Sequence, residues 1–422
     1  MMSTTVTTRP NEQRQGVVGL MGMPYLSLAL VARLPFAMMV VGTLTLLVER
    51  GESVATAGAV SAVAGIGTAV GAPLLGRLVE RWGQRGVLLL FGTVFCLALL
   101  GFVWLVATSA PVWASVVAVA IAGVASPQVA PMSRSRVTAV ARVQNVPAEQ
   151  LDRAMGYESM ADEGAFVVGP VLVGAFSVTL GPFAPLLVAA GLTATAVAGF
   201  AVHPTGRRLP SAVVVTGEAS ARLFTPRFGL LALGMLLVGA IFGATLTALT
   251  SDLEHQGLAE WTGLIYGGMS VGSILSAASI SRIPQRVLPR QLRWVAAGIL
   301  GLAGLAIMAL STSLLAVIVG LVVLGLGVGA SLVSIFSYTA DSVPQQRHTS
   351  AFAMLASGLI VSQAVVTAGA GQLVTEAGAS SGFIAGMVLG AVLLLTATAE
   401  WILAVKRHSA LAPSRATAPT SQ

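Results

Sequence analysis

Residues 87–107 read VLLLFGTVFCLALLGFVWLVA, an unbroken apolar run with no charged side chain. At 1.5 Å of rise per residue, about 20 apolar residues of helix cross a hydrocarbon core of roughly 30 Å. Upstream, a short basic loop separates this run from a second one at 54–78; downstream, a few residues lead into a third at 111–131. The same ruler carried along the chain gives further spans near 24–48, 154–178, 182–202, 226–250, 260–281, 294–312, 314–339, 351–373 and 380–404, twelve in all. The runs are long and continuous rather than alternating over about 10 residues, so helices and not β-barrel strands satisfy the backbone in lipid. With 55% hydrophobic and 9% charged residues, the chain is expected to be an all-α integral membrane protein of twelve transmembrane helices.

The charges say which way it sits. The chain has 23 Lys and Arg against 16 Asp and Glu. Arg50 falls in an outside loop and Arg33 inside the first span, and the remaining 21 fall on one side of the membrane. By the positive-inside tendency that side is the cytoplasm, which puts both termini there in a multi-pass protein of the cell (inner) membrane. Glu49, Glu52, Asp252, Glu254, Glu260 and Glu376 lie outside. The net charge of +7 thus reports topology and contact with membrane lipid, not nucleic-acid binding. The first apolar run is longer than a signal-peptide core and has no small-residue cleavage site before Glu49, so it reads as a retained span. Cys96 is the one cysteine, and His203, His255, His348 and His408 are scattered in loops; with no phosphate-binding loop either, no cofactor, metal site or enzyme activity is expected.

The longest polar stretch between spans divides the chain six and six. The expected organisation is a disordered N-terminus 1–16, a six-helix bundle 17–203, a cytoplasmic linker 204–225, a second bundle 226–405 and a disordered tail 406–422. The halves look duplicated. Shifted by 201, Gly67, Val70, Gly71, Leu74, Arg81, Gln84 and Arg85 fall on Gly268, Val271, Gly272, Leu275, Arg282, Gln285 and Arg286. Thr43-Leu44-Thr45 meets Thr245-Leu246-Thr247 at 202, and Val146-Pro147 meets Val343-Pro344 at 197.

The loop after the second span reads Gly76-Arg77-Leu78-Val79-Glu80-Arg81-Trp82-Gly83-Gln84-Arg85. Arg81 and Arg85 there meet anionic lipid at the inner face, Gly83 lets the turn close, and Glu80 can pair with the arginines or with the positive N-terminus of a neighbouring helix. The loop closely resembles the signature of the major facilitator superfamily. That resemblance implies two pseudo-symmetric six-helix bundles around a central cavity, alternating access, and a latch between halves in which Gly76, Glu80, Arg81, Gly83 and Arg85 take part. The family more often has Asp where Glu80 stands, and the second half has Ser281 and Ala277 in place of the acid and the first glycine.

A charge inside a span needs a partner or water, since a central arginine costs about 2.5–3.5 kcal/mol on insertion scales. For Arg33 the candidates are Glu158, Asp162 and Glu163 in the fifth span. At about 100° per residue, Glu158, Asp162 and Gly169 share a face while Glu163 shares another with Pro170 and Gly174. Asp162 or Glu163 is expected to couple protons with Arg33 as counter-charge; the bland alternative is a static fastening of helices. Arg134 and Arg136 are read as interface anchors. The run Gly164, Gly169, Pro170, Gly174 resembles in part the fifth-helix motif of facilitator-family antiporters, in which small residues bring the halves together. This implies proton-coupled export, although the fourth span lacks the antiporter arginine near Ala118 or Val119. Asparagine is limited to Asn11 and Asn145, which disfavours a sugar site; Thr43, Thr245, Tyr266, Ser334, Tyr338 and Gln363 are the expected cavity residues for a lipophilic or weakly polar solute. The protein is expected to act as a monomer. Import by a facilitator or symporter, and a non-transporting sensor or lipid-handling protein on the same fold, are the alternatives.

Overall fold

The computed structural model describes residues 17–52, 54–208, 225–258, 261–284, 286–311 and 313–411. Residues 1–16, most of the linker, residues 412–422, Glu260 and Gln285 lie outside them. Among the described residues all regular structure is helical. We number the spanning segments α1 (Met23–Glu49), α2 (Thr56–Trp82), α3 (Gln84–Ala107), α4 (Val112–Val143), α5 (Ala148–Leu180), α6 (Ala184–Val202), α7 (Pro226–His255), α8 (Thr262–Ser279), α9 (Arg290–Leu310), α10 (Leu314–Ser342), α11 (Gln345–Ala377) and α12 (Ala379–Lys406). Eleven of them are long and apolar enough to cross a membrane. The other, α8, has 18 residues, about 27 Å of helix, and owes its lower hydropathy to its glycines and serines.

Two spans are interrupted, each beside a proline. In α1 the helix stops at Val31 and resumes at Leu34, because Pro35 offers no N–H to the Val31 carbonyl and its ring crowds it. Arg33 stands in that break. In α4 the helix stops at Ala125 and resumes at Val129 around Pro127. The Gly123 carbonyl, robbed of its partner at Pro127, instead accepts from the Ser126 N–H at 3.1 Å and the Thr68 hydroxyl at 3.2 Å. Borrowed donors of this kind keep a broken helix tolerable in lipid. The fourth span, expected at 111–131, continues as helix to Val143, since Arg134 and Arg136 are enclosed by protein rather than ending the span.

Close helix crossings repeat between the halves. A Cβ at Gly71 would stand 2.2 Å from the Val124 carbonyl oxygen, locking α2 against α4; a Cβ at Gly272 would stand 2.1 Å from the Val322 carbonyl oxygen, locking α8 against α10. Only glycine allows such backbone approach, and with no hydrophobic drive between helices in lipid this packing is what holds the pairs together. Large apolar side chains such as Leu97, Trp104, Val171, Leu264 and Leu395 stay exposed on the outer faces, as a lipid-facing surface requires.

By packing the chain forms two compact units. The first comprises Met1–Leu223 together with Ala277–Arg282 and Phe336–Val361; the second comprises Phe224–Ser276, Ile283–Ile335 and Ser362–Gln422. The division departs from the expected 17–203 and 226–405 halves because the adjoining ends of α10 and α11 bond to α2 and α4, as described below. The core of the first unit includes Met38, Leu46, Phe95, Phe102, Val119 and Leu186, from α1, α3, α4 and α6. In the second, α12 packs on α7 and α9, and an Arg227–Glu400 ion pair of 2.7 Å fastens α7 to α12.

Candidate functional site: a buried charge network

The i, i+4 spacing of Glu158 and Asp162 aims both acids of α5 at the break in α1. Arg33 donates through one terminal nitrogen to Glu158 Oε2, through Nε to Asp162 Oδ1 at 2.6 Å, and through its other terminal nitrogen to the Ala29 carbonyl at 2.8 Å. The Asp162 carboxylate is shared: its Oδ2 accepts from Arg134 Nη2 at 2.6 Å. Glu158 is fully buried and further held by the Ser133 hydroxyl at 2.8 Å, which itself bonds the Tyr25 hydroxyl at 2.9 Å. Arg33 and Arg134 are 5% and 2% exposed, whereas the Asp162 side chain is 22% exposed. Two guanidiniums and two carboxylates sum to zero charge, which is how buried ions are tolerated.

Arg134 carries a further signature. Its guanidinium lies 3.7 Å over the centroid of the Phe336 ring, and its Nε is buried with no acceptor. Two residues on, Arg136 faces elsewhere: it stacks 3.9 Å over Phe200, donates to Gln84 Oε1 and the Phe200 carbonyl at 2.7 Å each, and is also fully enclosed. A π-helical turn at Thr193–Val197 precedes Phe200 in α6, and such a turn adds a residue that rephases the helix end carrying that ring. Beyond it, His203 is pushed below its usual range by burial and by nearby Arg136. The reading of Arg134 and Arg136 as interface anchors is therefore corrected: both are enclosed, Arg134 against Asp162 and Phe336, Arg136 against Gln84 and Phe200.

Glu163 is half-buried on another face of α5, while the donors of Arg33 go to Glu158, Asp162 and the Ala29 carbonyl. Gly169 packs on Ala37 of α1, where a Cβ would stand 2.6 Å from the alanine Cβ; Gly164 and Gly174 have no described neighbour within 4 Å of that position. Gly169, expected to draw the two halves together, instead fits α5 to α1 inside the first unit.

In the signature loop, Gly83 adopts φ +80° between α2 and α3, while Arg81 and Arg85 are exposed. Glu80 turns from both arginines to the start of α11, where its carboxylate accepts from Arg347 at 3.0 Å and from the Ser350 N–H at 3.2 Å. Ser350 is the third residue of helix His348–Ala377, so Glu80 caps one of its orphan N–H groups from another helix. Gly76 permits the approach, a Cβ there standing 3.0 Å from Ser350 Cα. The expected cavity residues divide between the units. Thr43 and Tyr338, both buried, lie in the first; Thr245, Tyr266, Ser334 and Gln363 lie in the second, and the Ser334 hydroxyl is already bonded to its own helix at Ala330. Thr43 and Thr245 are fully buried with hydroxyls that have no partner.

The sequence reading missed Arg134, Ser133, Tyr25 and Phe336. One signal pointed to a second buried cation: two acids on one face of α5 outnumber Arg33.

The family model for the Major Facilitator Superfamily matches residues 25–317. No curated protein matches the chain by sequence. Among solved structures, the chain is similar to a bacterial homologue of the iron transporter ferroportin, outward-facing with soaked iron, at 17% identity over 91% of this chain and 98% of that one, with a TM-score of 0.66. It is similar to the human organic anion transporter MFSD10 at 17% identity over 92% and 100%, with a TM-score of 0.63. It also resembles the E. coli fucose:proton symporter FucP at 15% identity over 89% and 98%, with a TM-score of 0.65. At such identities the likeness shows the fold.

Proposed function

The chain belongs to the major facilitator superfamily and is a multi-pass membrane transporter, not an enzyme, and we propose that it works by proton-coupled alternating access with Asp162 as the exchanging acid. The observation that carries this reading is the contrast between two acids in one network. Glu158 is sealed and held by Arg33 and Ser133; Asp162 is partly open and shared between Arg33 and Arg134. A proton can reach the second and not the first. Arg33 and Glu158 then form the fixed pair against which Asp162 titrates, and Glu80 acts as a conformational latch at the head of α11. We place the chain in the cell (inner) membrane with both termini cytoplasmic, which the one-sided arginine distribution supports, and propose that it functions as a monomer.

Export of a lipophilic or weakly polar compound in exchange for protons is the direction implied by the fifth-helix resemblance. Import by symport is the second reading, and the shared carboxylate favours it. With Asp162 ionised the network is neutral; with Asp162 protonated and nothing else bound it carries +1, which is costly to hold in a low-dielectric interior. A protonated carrier moves readily only when its solute restores the balance, so proton and solute travel together.

The test compares solute accumulation, driven by an imposed pH gradient, in cells expressing wild type, Asp162→Asn and Glu163→Gln. Loss of gradient dependence in Asp162→Asn alone is the expected result. Retention of it in Asp162→Asn refutes the reading, and the sign of the accumulation separates import from export.

A further inference from the structure

We propose that the solute is an organic monoanion whose head group can turn two oxygens to one guanidinium edge, a carboxylate or sulfonate, and that it binds Arg134 over the ring of Phe336 in place of Asp162. The inference rests on Asp162 being the exchanging acid and adds what travels with its proton.

A guanidinium offers five N–H donors, and one edge, Nε with its neighbouring terminal nitrogen, fits a carboxylate or sulfonate through two parallel bonds. Asp162 does not use Arg134 this way. It bonds one terminal nitrogen through Oδ2 and turns Oδ1 to Arg33, and Arg134 Nε is left buried without an acceptor. Buried donors are rarely left so, and an orphan on a 2% exposed arginine marks a place for an acceptor the protein does not supply. Phe336, 3.7 Å below, fixes the plane of the guanidinium and leaves its edge to the incoming group. The open part of the network is Asp162 itself, so the group that reaches Arg134 is one that displaces Asp162.

The charge count fixes the stoichiometry. Empty, Arg33 and Arg134 balance Glu158 and Asp162. With one anion bound, balance returns only when Asp162 takes one proton, its carboxylate becoming a neutral acid while the anion replaces it at Arg134. An anion without the proton leaves −1, and the proton without the anion leaves +1; neither form crosses the low-dielectric interior easily. Both acids of the network already face arginines, so a cation finds no acid left for it there. The groups facing Asp162 are Arg33 from α1, Arg134 from α4 and Glu158 from its own helix, with Glu163 adjoining it in sequence. The 280–282 turn that also packs on α5 brings Arg282, which is exposed, and α6 contains no ionisable side chain.

The test is calorimetric titration of the full chain in lipid nanodiscs with benzenesulfonate, whose charge does not change with pH, against neutral benzenesulfonamide and cationic benzyltrimethylammonium. Repeating it in buffers of different ionisation enthalpy counts protons. Benzenesulfonate is expected to bind with uptake of about one proton, its affinity falling roughly tenfold per pH unit on the alkaline limb. Arg134→Gln weakens it roughly tenfold to a hundredfold, the loss of a charge-assisted pair. Asp162→Asn removes the competitor, so binding becomes at least as tight as wild type, independent of pH and free of proton uptake; this variant gains affinity and cannot mimic misfolding. Absence of sulfonate binding, preference for the amide or the cation, or indifference to Asp162→Asn overturns the anion assignment. If Asp162 still titrates in such a case, the coupling role stands without it; if it does not, both fall.

Discussion

The two units are built from the same kind of helix crossing but handle charge differently. In the first, Arg33, Arg134, Glu158 and Asp162 meet inside the span, and Asp162 is the most open of the four. In the second, the pair Arg227–Glu400 joins the ends of α7 and α12, and polar groups such as Thr245 and Ser334 sit buried as hydroxyls. In the first unit one carboxylate serves two arginines; in the second the Arg227–Glu400 pair fastens one helix to another. Matching glycine crossings thus stand in both units, while the enclosed network around Asp162 stands in the first.

The comparison can be broken most severely at Arg33. Arg33→Gln leaves Glu158 buried without its counter-charge, and a loss of about 3–5 kcal/mol is expected, read as a large fall in melting temperature of the purified protein. The double variant Arg33→Gln with Glu158→Gln should recover much of it; no recovery would deny that the two form a unit. Next, Glu400→Gln should cost about 1–3 kcal/mol in the same assay while leaving the pH dependence of transport unchanged. A shifted pH profile would erase the distinction between the units. Glu80→Gln is expected to lose about 0.5–1 kcal/mol from its exposed pair with Arg347 and to reduce transport with surface expression intact. Unchanged transport would leave Glu80 a helix cap and nothing more. The smallest effect is expected at Thr245, whose buried hydroxyl has no partner. Thr245→Val should be neutral or slightly stabilising, within about 0.5 kcal/mol, unless the hydroxyl serves the solute, in which case transport falls without a change in melting temperature.

The spans were legible because lipid imposes a length and an apolarity that residues such as 87–107 meet on their own. The shared face of Glu158 and Asp162 was legible for the same reason, since helix periodicity is local. What periodicity could not reveal is which helix stands opposite. Asp162 meets Arg33 across 129 positions and Arg134 across 28, and Arg134 looked like the end of a span because its neutralising acid lies on the next helix. From its sequence Glu80 can pair with the loop arginines or with a helix N-terminus, but Arg347, 267 positions away, cannot be named from the loop. The α5 glycines misled in a related way: Gly169 signals close packing without saying against what.

The account turns on which acid exchanges its proton, and infrared difference titration of the full chain in lipid reads that without knowledge of the solute. A protonated-carboxyl band that grows on acidification is predicted to vanish in Asp162→Asn and persist in Glu158→Gln. A band that persists in Asp162→Asn and vanishes in Glu158→Gln would contradict the account.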